Sequence, residues 1–289
     1  MHRAFGLAAM ATLAAGSAAA QEIVGRNQST YSVTHRLDRG DWVRIATPNG
    51  TVRIIEGRGT EASVEAEKVV RRGSDDDVGF VVRRGAGGLT VCAVFDDADE
   101  CDEEGNHRSG DRSATWWRDH QIRINFTVTV PAGTRIKAGS GNGDVSIAAA
   151  GAEVIAASGN GRITVEGAAG PVEASSGNGD ILIATSQGPV NASSGNGSID
   201  VTMDRLTGSP DMEFTTGNGR ISVAVPEGFG AELFASSGNG RIHSDFPIQQ
   251  RGRINKSRVR GTLGDGGGRL TMTSGNGSLE VVRGRSSGR

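Results

Sequence analysis

The chain has 289 residues, 45 of them Gly, with a formal net charge of -2 and aromatic residues at only 4%. So few large side chains exclude a wide globular core, although Ala, Ser and Val can fill a narrow one. Near-neutral charge supplies no strong overall attraction to nucleic acid or to a membrane surface, and nucleic acid is not an expected partner.

His2 and Arg3 precede an apolar run from Ala4 to Ala15 and then the small residues Ala18, Ala19 and Ala20. This is the order of a secretory signal peptide, residues 1–20, with cleavage expected after Ala20. The run is short for a bilayer-spanning helix and no later segment reaches 18 apolar residues, so no transmembrane segment is expected in the mature chain. The expected location is the periplasm or, beyond it, the cell surface or medium.

Residues 21–130 are strand-rich without a clean repeat, and read as an irregular β cap with atypical coils. Strand candidates are Val43–Thr47, Val52–Ile55, Ala62–Val70, Val78–Arg83, Leu89–Phe95 and Ile122–Val130, and Thr47-Pro48-Asn49-Gly50 looks like a degenerate copy of a corner met later. Cys92 and Cys101 are the only cysteines. In an exported chain an even pair nine residues apart reads as a disulfide closing a short loop; a metal pair is the rival, but no Cys or His partners cluster nearby. Between them begins an acidic run, Asp96, Asp97, Asp99, Glu100, Asp102, Glu103 and Glu104. It lacks the ordered spacing of a Ca²⁺ loop and reads as a solvated tip. Trp116-Trp117 is either a cap anchor, the favoured reading, or an exposed sugar-stacking platform.

From Pro131-Ala132-Gly133 onward the sequence repeats itself. Gly-Asn-Gly begins at Gly141, Gly159, Gly177, Gly195, Gly217, Gly238 and Gly275, in steps of 18, 18, 18, 22, 21 and 37 residues. Before each corner, alternate positions are apolar or small (Val172, Ala174, Ser176); after it they are apolar again (Ile181, Ile183). Period-two alternation means one wet and one buried face, and two short strands per period make one coil of a stack. The fold class is therefore all-β: a parallel β-helix-like solenoid with coils of about 18 residues spanning 131–283, followed by a flexible tail, 284–289. The corner residues Asn142, Asn160, Asn178, Asn196, Asn218, Asn239 and Asn276 are read as tolerating left-handed backbone. The Ser or Thr before each corner reads as capping local backbone groups. Residues 246–261 look like a loop or closing strand, and Leu263 to Gly268 like a half-period variant.

No constellation for chemistry emerges, and no catalytic, cofactor or metal residue is assigned. After Gly-Asn-Gly stand Asp144, Arg162, Asp180, Ser198, Arg220, Arg241 and Ser278; two acids against three arginines do not repeat a cation site. Gly284-Arg285-Ser286-Ser287-Gly288 matches a nucleophile elbow in letters alone, without its strand-to-helix setting. The five His are scattered. A basic stretch, Arg241, Arg251, Arg253, Lys256, Arg258 and Arg260, is either a solvated face or a binding face for an anionic envelope component. Arg220 and Arg241 are expected on adjacent coils.

Val91-Cys92-Ala93-Val94-Phe95, Cys101, the run Ile124 to Val130 entering Pro131-Ala132-Gly133, and Asn142-Gly143-Asp144 together resemble the bacterial "putative adhesin" family of exported β-solenoids. The resemblance runs from about Val43 to Val282. It implies the fold and export and supplies no catalytic residues; the acidic Cys loop and the corner arginines depart from its pattern. The function expected is a non-catalytic adhesin or envelope scaffold, its partner an envelope polysaccharide or another envelope protein. The alternative is a periplasmic polysaccharide lyase or hydrolase, which would need an acid pair not evident among the outward positions.

Overall fold

The structure is a computed structural model that describes residues 22–85, 87–96, 98–108, 110, 113–149, 151–185, 187–206, 208–250 and 257–284. The expected leader, 1–20, and tail residues 285–289 lie outside them. Alternation in the sequence is alternation in space: in Val172–Asn178 the side chains of Val172, Ala174 and Ser176 are buried while Glu173 and Ser175 are exposed. Strands before the corners build a 13-stranded front sheet, and those after them an 11-stranded back sheet. The narrow space between the sheets is one continuous core of Val, Ile, Leu, Ala and Met with a few Phe. Each buried Val or Ile contributes about 1.5–3 kcal/mol, which is how thin coils become stable once stacked.

Nine coils stack by parallel pairing, and from 135 to 203 the register is the 18-residue period: Ile136 lies on Val154, Val154 on Val172, and Val172 on Val190. At both ends the spatial order departs from chain order. The coil Trp42–Asn49 with Val52–Gly57 lies between Gly88–Val94 with Gln121–Pro131 and Arg135–Asn142 with Val145–Ala148. The coil Arg269–Asn276 with Leu279–Arg283 slots between Met212–Asn218 with Ile221–Val225 and Ala231–Asn239 with Ile242–Ser244. Arg220 and Arg241 are therefore not neighbours: Ser278 lies between them.

Antiparallel strands close the ends, covering edges that would otherwise pair with other chains. At one end Glu61–Arg72 pairs with Gln121–Pro131 and with Thr30–Arg36, and Gly79–Gly85 with Gly88–Val94. At the other, Arg258–Leu263 pairs with Ala231–Asn239 and Ile248–Gln250. The closing strand expected within 246–261 is thus Arg258–Leu263, and the expected half-period variant, Leu263 to Gly268, is instead a glycine turn in which Gly264 and Gly266 take φ of 52° and 80°. Trp116, in the short helix Ala114–Asp119, packs on the core and lies edge-on to Phe95, as a cap anchor does.

The corners differ from their expected chemistry. Among the described residues no non-Gly residue has positive φ, so Asn is not there for left-handed backbone. Asn side chains instead form a column: Nδ2 of Asn160, Asn178, Asn196, Asn218, Asn276 and Asn239 donates in turn to Oδ1 of Asn142, Asn160, Asn178, Asn196, Asn218 and Asn276, at 2.7–2.8 Å. Each Ser or Thr before the corner reaches across to a neighbouring coil rather than capping locally: Oγ of Ser176 donates to the Gly161 carbonyl at 3.1 Å, and Oγ of Ser194 to that of Gly179 at 3.0 Å. The glycines answer to crowding. A methyl on Gly177 or Gly179 would run into the carbonyl oxygen of Gly159 or Gly161 one coil away.

Candidate binding face

The outward positions of the front sheet form straight rows across the stack. One row reads Ala46, Gly139, Ala157, Ser175, Ser193, Thr215, Thr273, Ser236 and Arg258. The next contains Arg44, Lys137, Ile155, Glu173 and Asn191, then Glu213, Thr271, Phe234 and Arg260. The first row has small side chains from Ala46 to Ser236, the next carries larger and charged ones, and the charge changes along the face.

At the end near Trp42 the face is basic and covered by the acidic loop. Cys92 and Cys101 are disulfide-bonded and buried, with Cα atoms 6.2 Å apart, as the nine-residue spacing implied. The loop lies over Arg44 and Lys137: Nζ of Lys137 donates to the Glu104 carbonyl at 2.9 Å and to Oδ1 of Asn106 at 2.7 Å. Burial lowers the Arg44 pKa from its ordinary value, and the charges of Glu104, Asp102 and Glu103 act against that effect. Several loop acids accept from loop backbone: Oδ2 of buried Asp99 from the Phe95 amide at 2.8 Å, Oδ1 of Asp99 from the Gly110 amide at 2.8 Å, and Oδ1 of Asp102 from the Asn106 amide at 2.7 Å. Slight burial works against charge on Asp102, yet the Asn106 bonds, the Lys137 ammonium and the Glu104 amide hold its carboxyl below the usual range. Replacing both cysteines by Ala is expected to cost about 2.5–3 kcal/mol through loop entropy. Urea unfolding and limited proteolysis check this, the first new cleavage falling between 92 and 110.

Midway along, Glu173, Asn191, Asp211 and Glu213 border an open depression of about 670 Å³. Here the sequence reading missed a feature: two carboxylates share one row, with Glu173 and Glu213 about 9–10 Å apart across two strand spacings. Both are exposed. A glycosidase acid needs a desolvated pocket, which this open floor does not give. Among the described residues no three His, Cys, Asp or Glu side chains are grouped to hold a metal ion.

The far end is basic again. Arg258 and Arg260 are exposed on the capping strand, facing Ser236 and Phe234. Arg260 lies 4.6 Å and Arg269 5.5 Å from the Phe234 ring centre. Of the other residues in the expected basic stretch, Arg241 belongs to the corner column and not to this face, while Arg251, Arg253 and Lys256 lie outside the described residues. Phe234 and Arg269 were missed, although a Phe at an outward position that is small or polar in most copies is a legible signal. In the corner column itself Arg162 is 3.6 Å from Asp180, while Arg220 lies 2.7 Å from Asp200 and 3.8 Å from Glu280 on the adjoining back-sheet strands.

Among the described residues no helix is long and apolar enough to cross a membrane. No curated protein matches the chain. Among solved structures it is similar to a "putative adhesin" from Bacteroides fragilis, at 12% identity and a TM-score of 0.38, over 89% of this chain and 98% of that one. It is similar to a "putative cell adhesion protein" from Clostridium sporogenes, at 9% identity and a TM-score of 0.36, over 88% and 99%. It is also similar to a "Putative lipid binding protein" from Parabacteroides distasonis, at 12% identity and a TM-score of 0.33, over 88% and 97%. Likenesses this distant lend no weight to a ligand, and the functional reading rests on the chain's own residues. The paired sheets, the stacked corners and the match of residues 109–281 place the chain in one family: it belongs to Toastrack DUF4097.

Proposed function

We propose that the chain is an exported, non-catalytic solenoid that binds a component of the cell envelope or surface along the outer front sheet, in adhesion or envelope organisation. The observation that carries this reading is the open face itself, with a row of Ala, Gly, Ser and Thr from Ala46 to Ser236 running coil after coil at a spacing of about 4.8 Å. Such a face offers a long repeated surface rather than an enclosed reaction site. The division of the chain is also part of the proposal: residues 1–20 direct export, 21–130 supply the cap and first coils, and 131–283 the array. A disulfide suits an oxidising compartment.

Purified chain spanning 21–289, immobilised and challenged with envelope extract and glycan arrays, is expected to retain a specific component. Retention of nothing would defeat the proposal. The alternative, a polysaccharide lyase or hydrolase, would be favoured by turnover that disappears in Glu173→Gln/Glu213→Gln.

A further inference from the structure

We infer that the arginine-rich end of the front face is a binding site for an acidic polysaccharide, whose carboxylates are held by Arg258, Arg260 and Arg269 around Phe234. The inference rests on the binding function proposed above and names its ligand class.

Three features point there. First, the three guanidiniums are not engaged in ion pairs. Arg162 has a carboxylate partner in the corner column, Asp180, and Arg220 has two on the adjoining back-sheet strands, Asp200 and Glu280. Among the described residues no carboxylate forms an ion pair with the guanidinium of Arg258, Arg260 or Arg269; Oδ1 of Asp211 accepts from the Arg269 backbone amide at 2.7 Å, and Glu232, opposite Arg269 in the sheet, accepts a hydrogen bond from Thr262 at 2.8 Å. Two of these guanidiniums lie over one ring. That contact limits their rotamers without using up their donors, and a pre-oriented fork binds a carboxylate with two bonds.

Second, the fold contains an example of what covers such a patch. At the opposite end of the same face Arg44 and Lys137 lie under the acidic loop, which is pinned by the disulfide. The end at Phe234 has the same sign of charge, and no such acidic cover among the described residues. An acidic ligand lying along the rows would complete it.

Third, the surroundings choose among acidic partners. Beside the arginines are the hydroxyls of Thr271, Thr273 and Ser236, in rows flanked by Gly275 and Gly238. Hydroxyls on a flat floor suit a polyhydroxylated chain, whereas an acidic peptide would want pockets for alternate side chains. A lipid surface would want apolar residues to insert. Among the described residues the exposed large hydrophobics are Val69 and Leu182, both on the back sheet.

The test uses size-defined polyuronate oligomers as probe, with neutral dextran, a poly-glutamate peptide and phosphatidylglycerol vesicles beside them, read by calorimetry. The wild type is expected to bind the polyuronate, to ignore dextran, and to weaken as salt rises from about 50 mM to about 500 mM. Arg258→Ser/Arg260→Ser/Arg269→Ser should bind at least about tenfold more weakly with an unchanged thermal midpoint, since all three side chains are exposed. The triple Lys variant, which keeps charge and loses the fork, should fall between them. Equal binding by the Ser variant overturns the site, and should that variant not fold, equal binding by the Lys variant does so. Preference for the peptide or the vesicles overturns the ligand class. Retention of envelope material with no polyuronate binding removes this inference and leaves the proposed function standing; retention of neither removes both.

Discussion

Ile181→Asp is expected to dismantle the stack, and Leu182→Asp, one residue along, to leave it standing. Ile181 is buried, paired with Ile163 on one side and Ile199 on the other, within an inward column that also includes Val145 and Ile221. An Asp there either stays charged with no partner or takes up a proton, and either course costs about 4 kcal/mol or more. A single domain has about 5–15 kcal/mol in hand. In a stack the loss does not stay local, because each coil is stabilised by its neighbours and a break at 181 leaves two shorter stacks with raw ends. Leu182 points outward at 44% exposure, and its replacement should change stability by no more than about 0.5 kcal/mol. Urea unfolding followed by circular dichroism checks the pair. Comparable losses from both would mean that the inward and outward faces are wrongly assigned.

The same alternation explains how much of the fold is legible in the sequence. Strand positions, faces and the 18-residue register follow from period two inside period 18, and they hold from Ile136 to Met203. The order of coils at the ends does not follow. Residues 231–244 and 269–283 carry the same template, each ending its front strand in Ser-Gly-Asn-Gly, so Asn239 and Asn276 are equally able to continue the Asn column after Asn218. What separates them is the strand Arg258–Leu263, which pairs antiparallel to Ala231–Asn239 and makes that coil the outer one. Its pairing is long-range and leaves no periodic mark. The role of Asn was misread for a related reason: single-residue preference speaks of backbone angles, whereas the column exists only between coils. The binding face was half visible. Arg258 and Arg260 stand in the basic stretch, but Phe234 and Arg269 join them only through lateral pairing.

Lys68→Met is the second substitution expected to be costly, and the reason lies in an apparent exception to the alternation. In Glu61–Arg72 the inward positions run Ala62, Val64, Ala66 and then Lys68, which is as buried as its apolar neighbours. Its ammonium replaces hydration with carbonyls: Nζ donates to Val78 at 2.6 Å, Gly25 at 2.7 Å, and Arg26 and Asp75 at 2.8 Å. Three protons shared among four acceptors tie together the segment after Ile23–Val24 and the turn that carries the chain from the back sheet to the front. Met matches the length of Lys and suits the Phe80 ring nearby, so packing alone would tolerate it. The carbonyls would not, because all four would lose the ammonium donor, and that of Val78 lies in a buried contact. Removing one partner from a buried charged network costs about 3–5 kcal/mol. The expected result is a lower urea midpoint, with hydrogen exchange accelerated first at residues 22–36 and 73–80, before the array from 135 onward. A Met variant as stable as the wild type would mean that water already serves those four carbonyls, and that the lysine only occupies space.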